Sequence, residues 1–312
     1  MKRHLLPLLL AATLSACGDG GFAPPMSSPV AGVRETVIGS TLITESSGLA
    51  RSQRDAKVLW THNDSGGNAE GFALDTNGQF LGTLALLAGN TGGTPITPLA
   101  LDWEDMASFT RDGQPYLVFA DIGDNNAFRP NLTLYVVAEP DLTGVATPFT
   151  MTVTPTQVIS VSYPDGPRDA EGLAVDGESN SFYILSKRDA QPMLYTGSLG
   201  TAPLGAVLMS NLGAINIPRA PAGVANPESI NWTTAMDFNQ RLNEALVLTL
   251  TRAYRYHRNA GESWFVAMSR APLAVDIPQY SQSEALSYTL GGESFLMSSE
   301  NAPYPLAEIA LD

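Results

Sequence analysis

The chain is poor in the residues that build soft-metal and redox sites. Its 312 residues include one cysteine and three histidines. With one cysteine it forms no internal disulfide, and its core must hold it together. So few sulfur and imidazole donors also exclude a zinc or copper centre built from Cys and His. Basic residues are scarce as well: Lys and Arg total 17 against 31 Asp and Glu, a formal charge of -14. That excludes nucleic acid as a partner, because a phosphate backbone needs clustered cations. No stretch of helical period runs beyond two turns. The chain does hold 44% hydrophobic residues with 28 Gly and 22 Pro, a composition that suits many short strands joined by turns.

Met1-Lys2-Arg3-His4 is a basic segment, and Leu5–Leu14 an apolar run too short to span a bilayer. Together they predict a signal peptide over residues 1–16. Leu14-Ser15-Ala16-Cys17 resembles the bacterial lipoprotein box, which implies lipidation of Cys17. The alternative is an ordinary secretory signal with an incidental Cys. Gly18, where Asp would favour the inner membrane, points to the outer membrane. The expected location is the bacterial cell envelope, lipid-anchored at Cys17. Residues 17–32 form a Gly/Pro/Ser/Ala-rich tether, and residues 33–312 a single domain.

One phrase recurs in that domain. Glu104-Asp105-Met106-Ala107, Glu171-Gly172-Leu173-Ala174 and Glu284-Ala285-Leu286-Ser287 are its strong copies. Ser47-Gly48-Leu49-Ala50 and Thr234-Ala235-Met236-Asp237 are weaker ones. The steps are 57, 67, 63 and 50 residues, a period that marks a repeat architecture. Each phrase opens a unit of about four strand-like runs. This predicts an all-β fold, a five-bladed β-propeller, with Val33–Ile43 supplying the last strand of the fifth blade. Six blades are the runner-up, because the second unit and the stretch between units three and four are long. An open β-sandwich is the other fold, but it gives no reason for the repeated Glu. The fourth strands of units three and four are expected at Ala206–Asn211 and Trp264–Ser269. Gly89–Thr94 is expected as an inter-blade loop.

In a propeller the first strands line the channel, so Ser47, Glu104, Glu171, Thr234 and Glu284 should form a ring. Two residues earlier stand Glu45, Asp102, Asp169, Trp232 and Gln282. The second strands return to the same mouth and end in His62-Asn63-Asp64, Asp121-Ile122-Gly123-Asp124-Asn125, Lys187-Arg188-Asp189, near Arg252, and in Ser299-Glu300-Asn301. Carboxylates this close cannot all stay ionised unaided. A hard cation held by oxygens resolves that, and Ca²⁺ suits the loose geometry. The expected ligands are Glu104, Asp121, Asp169, Glu171 and Glu284, with Asp64, Asp102, Asp124 and Glu300 also at the mouth. The Asp121–Asn126 loop taken alone is equally a hairpin turn. Lys187, Arg188, Arg168 and Arg252 are expected nearby, either to anchor an anionic substrate group or to tie acidic loops. His62 is a candidate general base or a hydrogen-bonded structural residue. No Gly-x-Ser-x-Gly elbow or phosphate-binding Gly loop is present.

The segments Glu45-Ser46-Ser47-Gly48-Leu49-Ala50, Trp60–Gly66, Asp102-Trp103-Glu104-Asp105-Met106, Asp121–Asn125 and Tyr163–Glu171 resemble a group of exported bacterial β-propeller lipoproteins. That group is distantly similar to phytase-like and esterase-like propellers. The resemblance implies an acidic mouth binding Ca²⁺; with the residues expected there, it points to a metal-dependent phosphoesterase or esterase-like hydrolase whose candidate catalytic residues are Glu171, His62, Lys187 and Arg252. The alternative is a non-catalytic binding or scaffold propeller that meets an envelope protein or glycan.

Overall fold

The computed structural model describes residues 32–311. Cys17, the signal peptide and the tether up to residue 31 lie outside the described residues. The chain opens with β1 (Val33–Val37) and then builds blade 1 from β2 (Ser46–Arg51), β3 (Val58–Asn63), β4 (Glu70–Asp75) and β5 (Phe80–Leu86). A two-stranded ribbon follows, β6 (Gly89–Thr91) and β7 (Thr94–Ile96), where a plain loop was expected. Blade 2 begins with β8 (Trp103–Arg111), β9 (Gln114–Asp121) and β10 (Leu132–Ala138). The chain then returns to blade 1, where β11 (Phe149–Val153) pairs parallel to β5, before β12 (Gln157–Ser162) completes blade 2.

Blade 3 starts with β13 (Ala170–Asp176), β14 (Ser181–Ser186) and β15 (Met193–Ser198). Again the chain doubles back: β16 (Leu204–Leu208) pairs parallel to β12 at the edge of blade 2, and β17 (Ser210–Ala214) closes blade 3. A short helix α1 (Glu228–Asn231) precedes blade 4, made of β18 (Thr233–Asn239), β19 (Glu244–Thr249), β20 (Ala253–His257) and β21 (Leu273–Val275), with helix α2 (Trp264–Met268) inserted before β21. Blade 5 is β22 (Ser283–Tyr288), β23 (Ser294–Ser299), β24 (Pro305–Ala310) and β1, which pairs antiparallel to β24 and closes the ring.

The blade count is five. The long second unit instead adds β11 as a fifth strand at the outer edge of blade 1, β16 does the same for blade 2, and the stretch between units three and four holds only α1. Two strand expectations are corrected. Residues 204–208 belong to blade 2, where the Pro203 carbonyl accepts from Val158 N at 2.8 Å. Residues 264–268 are helical, started by Ser263, whose side chain accepts from Val266 N.

The inner strands pack in a closed circle, β2 on β8, β8 on β13, β13 on β18, β18 on β22 and β22 on β2. The core is divided the same way, with one apolar cluster between each pair of neighbouring blades. Trp60 and Trp103 fill the interface of blades 1 and 2, and Trp264 stacks on Phe238 at 4.0 Å between blades 3 and 4. Burying a side chain of that size stabilises by about 1.5–3 kcal/mol.

Candidate functional site: the acidic mouth

Every inner strand carries a β-bulge at the same place. Pairing with the second strand skips Ser47, Glu104, Glu171, Thr234 and Glu284. These are the phrase residues of the five units. A bulge leaves one residue out of the ladder and re-aims its side chain. Five-fold repetition therefore turns five side chains toward one mouth, and the recurring phrase is the sequence trace of that backbone irregularity.

The ring residues do two different things. Ser47 Oγ donates to the Glu104 carbonyl (2.9 Å) and Thr234 Oγ1 to the Ser283 carbonyl (2.7 Å), each stapling its blade to the next. Glu104 and Glu171 instead reach into a carboxylate group. One oxygen each of Glu104, Asp169 and Glu171 lies within 4.8 Å of the others, all three buried. Glu104 also joins Asp64 and Asp102 in a second group of the same spread. Glu284 accepts from Gln282 Nε2 at 2.9 Å. Asp121 accepts from Arg129 at 2.6 Å, and both Asp124 oxygens accept backbone N–H groups, from Phe128 (3.0 Å) and Arg129 (2.7 Å). Neither falls in the two carboxylate groups; Asp124 stands beside the triad and its N–H donates to Asp169 Oδ1 at 3.0 Å.

Cations enter from one turn. Lys187 and Arg188 follow β14 directly. Lys187 Nζ pairs with Glu171 Oε1, and Arg188 Nε with Asp169 Oδ2 at 2.5 Å. The Arg188 guanidinium lies 4.2 Å from the Trp232 ring centroid, and Lys187 5.5 Å from it. Even so, carboxylates outnumber cations. Burial, reinforced by Glu171, Asp64 and Asp102, holds Glu104 well above the ordinary carboxylate range. Burial likewise raises Glu171, with Lys187 opposing it. Asp64 is pushed up to about 7 by burial and by Asp102, Glu284 and Glu45. Glu300 is pushed to about 8 by burial, Glu284 and Asp64. Asp102, Asp121 and Glu284 are also raised, with burial the first cause.

Among the described residues, two enclosed carboxylate oxygens have no hydrogen-bond partner, Glu171 Oε2 and Asp64 Oδ1. Glu171 is 3% exposed, so water does not compensate it from bulk. Gly123 makes the room: a Cβ there would stand 2.3 Å from Glu104 Oε1 and 2.5 Å from Asp102. The donors are all oxygen. The residues present thus fit a hard divalent cation of the Ca²⁺ or Mg²⁺ type and do not fit Zn²⁺.

Two of the expected catalytic residues stand elsewhere. His62 is wholly enclosed, edge-on to Trp103 (ring centroids 5.5 Å) and near Phe119, with Nδ1 on the Asn63 carbonyl at 2.9 Å. Burial lowers its pKa to about 4, so it is a neutral core residue with no access to the mouth. Arg252 is exposed and pairs with the likewise exposed Asp276 at 2.9 Å, not with a carboxylate of the triad. Arg168 is held between Tyr163 and Tyr195 and paired with Asp165 and Asp189.

Three residues were missed. Arg129 stands eight residues beyond Asp121, outside any repeat. Asp105, next to the bulge, is wholly buried and accepts from Leu173 N (2.7 Å) and Met236 N (3.3 Å) of two other blades. The equivalent positions are Gly48, Gly172, Ala235 and Ala285, and their small size was the available signal that something fills the space. Asp237 pairs with Arg51 (3.1 Å) further along the inner strands.

No protein-family model and no curated protein matches the chain. Solved structures similar to it are propellers. A gluconolactonase from Xanthomonas campestris has 10% identity and TM-score 0.48, over 89% of this chain and 90% of that one. A luciferin-regenerating enzyme has 9% identity and TM-score 0.45, over 90% and 96%. A chain of a nidogen/laminin complex has 12% and 0.40, over 81% and 71%. The fold rests on the sheet order above and not on these likenesses.

Proposed function

We propose that the mouth binds one divalent cation, Ca²⁺, through Glu104, Asp169 and Glu171, with Asp64 and Asp102 beside it, in a hydrolase acting on phosphate or carboxylic esters. The observation that carries the cation is the unpartnered Oε2 of Glu171 within an enclosed carboxylate triad. When bound, such an ion supplies charge to polarise an ester or phosphoryl oxygen and to acidify water. Asp64, with an unpartnered oxygen and a pKa near neutrality, takes the general-base role that the enclosed His62 cannot. Lys187 and Arg188 orient the anionic part of the substrate. The chain is exported and anchored through Cys17, in the outer membrane. The described chain enters at Gly32, beside Ala310 and at the end of the blade remote from the mouth.

The second reading, a non-catalytic binding propeller of the envelope, is favoured by the ion pair Lys187 already makes with Glu171. Calorimetry with Ca²⁺, melting with and without chelator, and a screen of ester and phosphoester substrates on the purified protein test both. Ca²⁺ binding with turnover that Asp64→Asn removes supports the hydrolase. Ca²⁺ binding without turnover leaves the binding propeller. Unchanged heat and unchanged melting in chelator overturn the cation in either.

A further inference from the structure

A cleft of about 230 Å³ opens beside the carboxylate triad, lined among others by Asp124, Asn125, Arg168, Asp169, Arg188 and Asp189. It shares Asp169 with the triad, and Arg188 stands at the boundary of the two. We propose that this cleft is an oxyanion subsite, for a carboxylate or phosphate-type group, that is formed by cation binding at the triad; it rests on the cation reading above.

Two of the three triad carboxylates are neutralised from consecutive residues, Glu171 by Lys187 and Asp169 by Arg188. In that state the cleft is no place for an anion. Arg188 serves Asp169, Arg168 serves Asp165 and Asp189, and Asp124 adds a further negative charge. A divalent cation among Glu104, Asp169 and Glu171 takes over the neutralisation of Asp169 and Glu171. Lys187 and Arg188 are then in excess beside it.

Arg188 need not move to act. The face of Trp232, 4.2 Å away, and a hydrogen bond from Arg188 Nη2 to Asn125 Oδ1 in the cleft wall hold its guanidinium in place independently of Asp169, and Arg188 already borders the cleft. Arg168 is fixed in the same manner by Tyr163 and Tyr195, at 5.4 and 5.0 Å, and its Nε is buried without a partner. A planar donor fork held on an aromatic face is suited to bidentate capture of an oxyanion. Cation and anion binding are therefore coupled, and the coupling is reciprocal: each tightens the other by one common factor.

The test is calorimetric, on the purified protein, and does not need a turnover assay. Acetate and methylphosphonate are titrated separately, each without and with saturating Ca²⁺, and Ca²⁺ is titrated without and with each anion. At least one anion should bind tighter by about tenfold or more when Ca²⁺ is present, within the 5–150-fold span usual for such coupling. The same factor should appear in the Ca²⁺ affinity. The anion with the larger factor identifies the chemistry of the group. Arg188→Gln should abolish the coupling while Ca²⁺ still binds, and Arg188→Lys should restore only part of it. Melting of each variant checks that it is folded. Ca²⁺ binding with anion affinities that are equal in both conditions overturns the subsite and leaves the cation site standing. Absence of Ca²⁺ binding overturns both. Coupling that persists in Arg188→Gln overturns the assignment of the cleft.

Discussion

Four of the five ring positions sort into two kinds, although all begin from a bulge at the same place. At Ser47 and Thr234 the bulged residue is a short hydroxyl that donates to the neighbouring blade's carbonyl and stops there. At Glu104 and Glu171 the same bulge carries a side chain two bonds longer, which reaches past that carbonyl into a shared carboxylate group. One side of the ring closes the molecule upon itself, and the other leaves charge uncompensated. Symmetry supplies the convergence, and its local failure supplies the site.

Substitutions can break that contrast. Glu171→Gln removes the charge and the enclosed orphan oxygen together, so Ca²⁺ binding should weaken by more than the ~10–100-fold typical of outer-shell changes at metal sites. Retained affinity in calorimetry would sink the triad. Gly123→Ala sets a methyl 2.3 Å from Glu104 Oε1. It should weaken Ca²⁺ binding and cost about 1–3 kcal/mol from overpacking, as read by denaturant titration. Ser47→Ala and Thr234→Val should behave in the opposite way. Each should lose about 0.5–1.5 kcal/mol of stability with its staple and leave Ca²⁺ binding as it was. A drop in Ca²⁺ affinity in either would erase the distinction between the two sides.

The acidic side should also show itself through pH. Asp64 and Glu300 are raised to about 7 and about 8 in the fold. Between its ordinary value and its raised one, each binds more protons folded than unfolded, so stability falls as pH rises. The contribution is fully present below the ordinary carboxylate pKa and is lost through about 7 and about 8. His62, lowered to about 4, acts oppositely but only below about 6.5. From about pH 6.5 to 8.5 the metal-free protein should therefore lose stability, and added Ca²⁺ should raise the melting temperature more at the upper end. A flat melting profile there would contradict the enclosure of these acids. The smallest effect is expected at Arg252→Ala, an exposed ion pair away from the triad, with stability changed by less than about 0.5 kcal/mol.

Much of this was legible in the residues. The recurring phrase marked the five inner strands, the alternating apolar runs marked the second strands, and Val33–Ile43 was visible as the spare segment that closes the ring, of which Val33–Val37 forms the strand. Glu104, Asp169 and Glu171 followed from the phrase by symmetry alone. Other features had no such trace. Residues 149–153 and 204–208 carry ordinary strand patterns, and nothing local says that they pair with a preceding blade. Trp264–Met268 has apolar content that suits a strand as well as a helix. The role of Arg129 depends on a loop conformation and belongs to no repeat.

The sequence by itself determined periodicity, the propeller class and the kind of chemistry available, because repeated units of similar length bury their faces against each other, and because oxygen is nearly the only ligand the chain offers. Only the tertiary structure decided which acids meet. Ring closure brought Glu104 of blade 2 to Glu171 of blade 3, and the bulge set both side chains into one enclosed space. It also placed His62 inside and Arg252 outside, although strand alignment set both at the mouth. Sequence spacing counts residues along a strand, whereas access to the mouth depends on which face of the sheet a side chain takes and on what packs over it.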